Sequence, residues 1–318
     1  MSCRVVLVGV GHLGKFHAEK LVELPEVDQL YLVDLREDRL KAVVEELKNK
    51  SKVSLKIGDD YRKAISEGDL FVVATPTYTH YEIAKEILSA GKPLFLEKPI
   101  AHEFSMAEEL VSLAEKKGIP FQVGYVERYQ SAVNLLLNRA KRPLFIEVHR
   151  LSGFVERNLD IDVVLDLMIH DLDLVFCLKG GFDLEFLHAV GAPLFTDKPD
   201  IVNVRLVFKD GTTCNLTASR ISLSKQRKFR VFEKGVYYSV DTVEKSFLEI
   251  RPRFDERDFA VHKKDFPQDD PLKEELRDFI GAVKERRSVR VSGREALESL
   301  GLALKIKEEV SKNLQRFL

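Results

Sequence analysis

Cysteine is scarce in this sequence. Cys3, Cys177 and Cys214 are the only three in 318 residues. None stands in a CxxC or other knuckle spacing, so neither a structural zinc site nor a disulfide framework is expected. Such cysteine usage fits a reducing compartment, and a cytoplasmic location is expected. Net charge is also nearly absent. Fifty Lys plus Arg face 51 Asp plus Glu, for a formal charge of -1. A protein that grips nucleic-acid phosphates gains from a basic face, so no nucleic-acid partner is expected. Long apolar runs are missing too. The chain opens with one Arg and a very short apolar stretch, shorter than the apolar core of a secretory signal. No stretch approaches the roughly 18 apolar residues of a membrane span, so no membrane partner is expected. Repeats and low-complexity tracts are absent as well. The length suits two packed domains or one large one.

What is present has a clear rhythm. Short, mostly apolar strand candidates lie at 4–9, 29–34, 53–57, 70–74, 93–96 and 120–123. Helical patterns separate them, with Gly91 and Gly118 placed as C-caps of the helices at 79–90 and 103–117. Apolar strands alternating with helices predict a parallel sheet covered on both faces. The pattern changes near Gly124. A helix is predicted at 129–139, a strand at 144–151 and a very apolar helix at 163–178. Strands follow at 184–190, 201–208, 213–220, 227–233, 236–241 and 246–250, joined by turn pairs such as Asp210-Gly211 and Lys234-Gly235. The charged, proline-bearing stretch 251–271 predicts a long loop, and helices at 272–286 and 293–315 close the chain. The fold class expected is α/β. A Rossmann domain with a parallel sheet spans 1–123, and an α+β domain with a largely antiparallel open sheet spans 124–318. The C-terminal helices are free to pack back on the first domain.

Gly9-Val10-Gly11-His12-Leu13-Gly14 follows the first strand and opens a helix. The first glycine of such a fingerprint makes the tight turn, the second lets a pyrophosphate approach, and the third lets helix and strand pack closely. Asp34 ends the second strand, 20 residues past Gly14, where a carboxylate accepts hydrogen bonds from an adenosine ribose. The same charge repels a 2'-phosphate, which favours NAD over NADP. Arg36 and Arg39 stand nearby and soften that preference. The bland alternative is a glycine turn in a doubly wound fold that binds something else.

Thr75-Pro76-Thr77 and Glu97-Lys98-Pro99 each follow an apolar strand, and ligands of open parallel sheets sit beyond such strand ends. Lys98 would bind a substrate hydroxyl, orient a nicotinamide ribose or tune a base; the alternative is an edge turn with solvated charges. His80 would contact the cofactor or cap a neighbouring turn. In the apolar run 163–178, Asp166, His170 and Asp173 fall at i, i+4 and i+7, with Asp171 beside them. Buried charge is costly unless paired or used, so the stripe points to a ligand. A hydroxyl oxidised by hydride transfer must lose its proton, and His170 suits that task. Asp166 would orient the imidazole or bind a neighbouring hydroxyl; Asp173 reads as structural. The bland alternatives are an Asp–His structural pair or a helix cap near Asp162. No third metal ligand accompanies Asp166 and His170, and no metal is expected.

These pieces resemble the glucose–fructose oxidoreductase, inositol dehydrogenase and rhizopine catabolism (Gfo/Idh/MocA) family. The likeness rests on Gly9-Val10-Gly11-His12-Leu13-Gly14, Asp34, Ala74-Thr75-Pro76-Thr77 with His80, Glu97-Lys98-Pro99, Gly124-Tyr125-Val126-Glu127-Arg128-Tyr129 and Asp166-x-x-x-His170-Asp171. The resemblance implies an NAD(P)-dependent oxidoreductase acting on CH–OH groups of sugars, cyclitols or nucleotide sugars. It implies Lys98 by the nicotinamide and substrate, Asp166 on the substrate and His170 as acid/base. Tyr125 and Arg128 fall in a family motif, and line the site or support it. The family's open sheet implies a homodimer or homotetramer. Many members carry a glycine-rich lead before the catalytic helix, where this chain has Asp162-Val163-Val164-Leu165. The string from Asp166 to Leu174 resembles the subgroup of UDP-N-acetylglucosamine 3-dehydrogenases; a free-sugar or inositol dehydrogenase is the next expectation. The rival from another class is an NAD-binding regulator without turnover. Two basic clusters, Lys225, Arg227, Lys228 and Arg230, and Arg286, Arg287, Arg290 and Arg294, meet a diphosphate or form solvated or subunit faces.

Overall fold

A computed structural model describes residues 3–48, 50, 53–154, 161–253 and 258–316. The chain divides into two units. The first comprises Met1–Val126 with Asp270–Leu297, and the second Glu127–Asp269 with Glu298–Leu318.

The first unit begins β1 (Cys3–Val8), α1 (His12–Val22), β2 (Val27–Val33), α2 (Glu37–Leu47), β3 (Ser54–Gly58) and a single turn α3 (Tyr61–Ala64). It continues β4 (Leu70–Val73), α4 (Thr77–Ser89), β5 (Leu94–Glu97), α5 (Phe104–Lys117) and β6 (Phe121–Gly124). All six strands are parallel, in the order β3-β2-β1-β4-β5-β6. That is the doubly wound dinucleotide-binding order, with its switch point between β1 and β4. β4, β5 and β6 are buried at every residue, as strands covered on both faces must be.

In the second unit a 3-10 turn (Val126–Tyr129, shared with the end of the first) leads to α6 (Ser131–Arg139) and β7 (Phe145–Leu151). A π turn (Val164–Met168) runs into α7 (Ile169–Lys179). Then come β8 (Leu184–Ala192), β9 (Ile201–Phe208), β10 (Thr213–Ser219), β11 (Gln226–Glu233), β12 (Val236–Asp241), β13 (Ser246–Arg253) and β14 (Asp258–Asp265). The sheet order is β14-β13-β12-β11-β7-β10-β9-β8, antiparallel except for β7 against β10. α8 (Pro271–Glu285) and α9 (Gly293–Leu314) end the chain, and the unit boundary falls inside α9.

Three local results differ from the sequence pattern. Within the stretch 251–271, expected as a long loop, 251–253 end β13 and 258–265 form β14, paired from Ser246↔Asp265 to Arg253↔Asp258, while 254–257 lie outside the described residues. β14 is an edge strand exposed at nearly every residue, so it shows no apolar alternation. Its charges blunt an open edge against further pairing. Second, the apolar helix opens with a π turn rather than an α turn. Third, the domain boundary is crossed in the way the sequence left open: α8, within 124–318, packs back into the first unit. Leu276, Phe279 and Ile280 join the core formed by Val5, Leu7, Leu21 and Leu30, and Lys20 pairs with Asp270 at 2.8 Å. Among the described residues no helix is long and apolar enough to cross a membrane.

Candidate active site

The glycine loop of the first unit is built by contact. Gly9 turns the chain at φ +91°, and a Cβ there would stand 2.8 Å from the Ala74 carbonyl oxygen. At Gly14 a Cβ would stand 1.9 Å from the Gly9 carbonyl oxygen, so no side chain fits. At Gly11 a Cβ would meet only Arg39 Nη1, at 3.7 Å, which leaves that backbone open to a ligand. His12 and Leu13 open α1, whose N-terminus has no side-chain cap. Beyond β2, the Val10 N–H donates to Asp34 Oδ2 at 2.8 Å and the Arg36 N–H to Asp34 Oδ1 at 2.9 Å. The Arg36 guanidinium is drawn off to Asp38, at 2.6 Å. An uncapped helix end, an open Gly11 and a carboxylate past β2 together fit a nicotinamide dinucleotide.

Next to this loop the two predicted turns are tied together by buried histidines. His80 is 1% exposed, with Nδ1 2.8 Å from the Pro99 carbonyl oxygen and Nε2 2.9 Å from that of Thr75. It thus braces Thr75-Pro76-Thr77 against Glu97-Lys98-Pro99. Burial pushes its pKa down, and a neutral ring donates to one carbonyl at a time. Thr77 begins α4, and Thr79 donates its hydroxyl to Thr75 Oγ1 at 2.8 Å. His17, fully buried on α1, holds Glu97 Oε1 through Nε2 at 2.7 Å, while the Lys98 N–H reaches Glu97 Oε2 at 3.3 Å. Lys98 is half-buried, and its peptide bond to Pro99 is cis. The sequence pattern passed over His17 because Glu97 and His17 are 80 residues apart; only its place one turn past Gly14 hinted at it.

In the second unit the structure sorts the acidic stripe. Asp162 Oδ1 accepts the N–H groups of Val164 at 3.0 Å and Leu165 at 3.1 Å, so it starts the π turn. Asp166 and His170 are half-exposed, whereas Asp171 and Asp173 are buried. Asp173 is gripped by Arg128, Nε and Nη2 donating at 2.7 and 2.6 Å. Asp171 receives Arg150 in the same forked way, at 2.9 and 2.8 Å, and Arg150 also donates to Glu127 at 2.8 Å. Burial alone works against the Arg150 charge, but Asp171 and Glu127 outweigh it and raise its pKa. Glu127 falls in the Gly124–Tyr129 motif and Arg150 in none, and their pairing was not visible in the sequence.

Tyr125 is 1% exposed and Arg128 5%, with its guanidinium engaged by Asp173. The C-terminal arginines are also engaged: Arg287 with Asp278 at 2.5 Å and Arg294 with Glu115 at 2.5 Å. They border a groove of about 590 Å³ walled by Pro93, Phe121 and Val289, which shares no residue with the motifs above.

Residues 3–125 match the family model described as an oxidoreductase family with an NAD-binding Rossmann fold. The chain is 32% identical to UDP-N-acetylglucosamine 3-dehydrogenase of Acidithiobacillus ferrooxidans, over 98% of this chain and 99% of that protein. The chain belongs to the Gfo/Idh/MocA oxidoreductase family. The solved structure of that Acidithiobacillus protein superposes with a TM-score of 0.87 at 30% identity, covering 98% of both chains. Myo-inositol 2-dehydrogenase of Thermotoga maritima is 24% identical over 96% of each chain. A scyllo-inositol dehydrogenase structure from Lactobacillus casei shares the fold, with a TM-score of 0.81 at 17% identity over 98% of each chain.

Proposed function

We propose that this protein is an NAD-dependent dehydrogenase that oxidises the 3-hydroxyl of UDP-N-acetylglucosamine to a ketone. The full-length likeness to a 3-dehydrogenase of that nucleotide sugar is the observation that carries the substrate. The sorting of the stripe supports the chemistry: two acids are consumed by arginines, and Asp166 and His170 keep exposed surface.

Gly9, Gly11, His12, Leu13 and Gly14 hold the pyrophosphate in this reading. Asp34 takes the ribose, and Thr75, Pro76, Thr77, His80, Glu97 and Lys98 border the nicotinamide end. Bound NAD supplies the hydride acceptor. His170 takes the hydroxyl proton as the carbonyl forms, and Asp166 orients its ring or the sugar. Lys98 places positive charge beside the oxygen as negative charge develops there. Asp34 favours NAD over NADP. The protein works as a homodimer or homotetramer through the outer face of the eight-stranded sheet.

Formation of reduced nicotinamide is followed by absorbance with UDP-N-acetylglucosamine, free N-acetylglucosamine and myo-inositol. Turnover is expected with the nucleotide sugar, and His170→Ala is expected to slow it by about 10²–10⁴-fold while NAD still binds. Turnover on inositol alone would overturn the substrate; full activity of His170→Ala would overturn the base.

A further inference from the structure

The cations at 225–230 do not act together. Alternate residues of a strand face opposite sides, and β11 divides them. Lys228 and Arg230 lie opposite His149 and Glu147 of β7, and Arg230 pairs with Glu147 at 2.6 Å. Arg227 lies opposite Arg150, on the inner face, where Arg150 meets Asp171 of α7 and Glu127 of the 3-10 turn.

On that inner face the other guanidiniums are well supplied. Arg150 makes three hydrogen bonds to two carboxylates, and Arg128 grips Asp173 with two. The Arg227 guanidinium makes no hydrogen bond among the described residues. Its ion pair is with Glu127 Oε1 at 3.7 Å, an oxygen that already accepts Arg150 at 2.8 Å. About a third of the Arg227 side chain, 34%, remains exposed. Burial, and then the Arg150 charge beside it, lower its pKa, while Glu127, Asp171 and Asp166 act the other way. The group is therefore a partly desolvated cation with its fork of donors unfilled. Such a fork matches the oxygens of a phosphate, two at a time.

We propose that Arg227 anchors the phosphate-bearing part of the substrate, giving the Asp166–His170 face a preference for a nucleotide diphosphate sugar over a neutral one. This rests on the nucleotide-sugar reading, and it singles out one residue of the basic cluster at 225–230 for the task. The competing role is a structural counter-ion for Glu127.

Calorimetric titration with UDP, a probe that needs no turnover, separates the two. The wild-type chain is expected to bind UDP, and Arg227→Gln to bind it about 10–100-fold more weakly, as loss of a hydrogen-bonded charge implies. Arg227→Lys is expected to recover part of that loss, because it restores charge without the fork. Affinity for NAD should hold in both variants. With UDP-N-acetylglucosamine, the rise in KM is expected to exceed the fall in kcat. Equal UDP affinity in wild type and Arg227→Gln overturns the inference, as does a wild type without UDP affinity. If Arg227→Gln does not fold, unchanged UDP affinity in Arg227→Lys overturns it instead. A wild type that binds UDP through Arg227 yet oxidises no UDP-N-acetylglucosamine removes the proposed reaction and leaves the anchor standing.

Discussion

Asp34 does two jobs with one carboxylate. It accepts the N–H groups of Val10 in the glycine loop and of Arg36, and in the proposed function it sets the charge met by the adenosine ribose. Its acceptor-only chemistry suits a ribose diol and opposes a phosphate. Arg36 is held by Asp38 and does not counter it. Asp34→Asn keeps the size but removes the charge and one of the two acceptor oxygens. The expected outcome is a shift of the kcat/KM ratio between NADP and NAD toward NADP by about tenfold, the worth of one charge-assisted contact. An unchanged ratio would show that selectivity lies elsewhere. At this scale the glycine turn and the carboxylate beside it were legible because backbone sterics and one charge set their places. His17 was not, because its meaning depends on Glu97, distant in sequence; Arg227 showed only as one of a basic cluster, and what sets it apart depends on Glu127 and Arg150.

Elements were legible where burial imposes a period. The apolar strands of the first unit and the hairpins of the second showed themselves in this way. β14 lacks a buried face and left no period to find. The π turn was hidden for another reason: its residues are as apolar as those of an α turn, and only Asp162 at its start marks the irregularity. Another device joins elements without a period. Asp200, fully buried just before β9, accepts N–H groups from Leu194, Phe195 and Thr196 and holds Arg220 at the end of β10 at 2.8 Å. Burial alone would raise its pKa, but those N–H groups and Arg220 hold it well below the usual carboxylate range. A carboxyl depressed in the folded chain contributes stability above its unfolded value, about 3.9, and loses it as pH falls toward the folded one. Asp200→Asn is therefore expected to destabilise the chain at neutral pH by about 3–5 kcal/mol, as loss of a buried pair does. The gap to wild type should narrow below about pH 4, where the unfolded Asp takes its proton. Urea melts across that range test it, and a gap that widens in acid would reverse the assignment.

At the scale of the whole molecule, the eight-stranded sheet has an inner face and an outer one. Helices and the π turn use the inner face. Across the outer face the strand register aligns Phe145, Phe232, Tyr237, Ile250 and Val261 on five neighbouring strands. Phe232 touches both aromatic neighbours, at 5.5 and 4.8 Å between ring centroids. An apolar row of this extent on a sheet face is a usual mark of an interface. In a two-fold pair the same patch meets itself, so each substitution enters the contact twice. A stable pair buries roughly 800 Å² per partner, which a sheet face of eight strands can supply. Light scattering during gel filtration is expected to give a multiple of the chain mass. Phe232→Glu would place two charges in the contact, and it is expected to return the chain to a folded monomer. The substitution should leave the fold intact, because Phe232 is only half-buried in a single chain. A wild-type monomer would remove the outer face as an interface, and so would a Phe232→Glu protein that kept the wild-type mass.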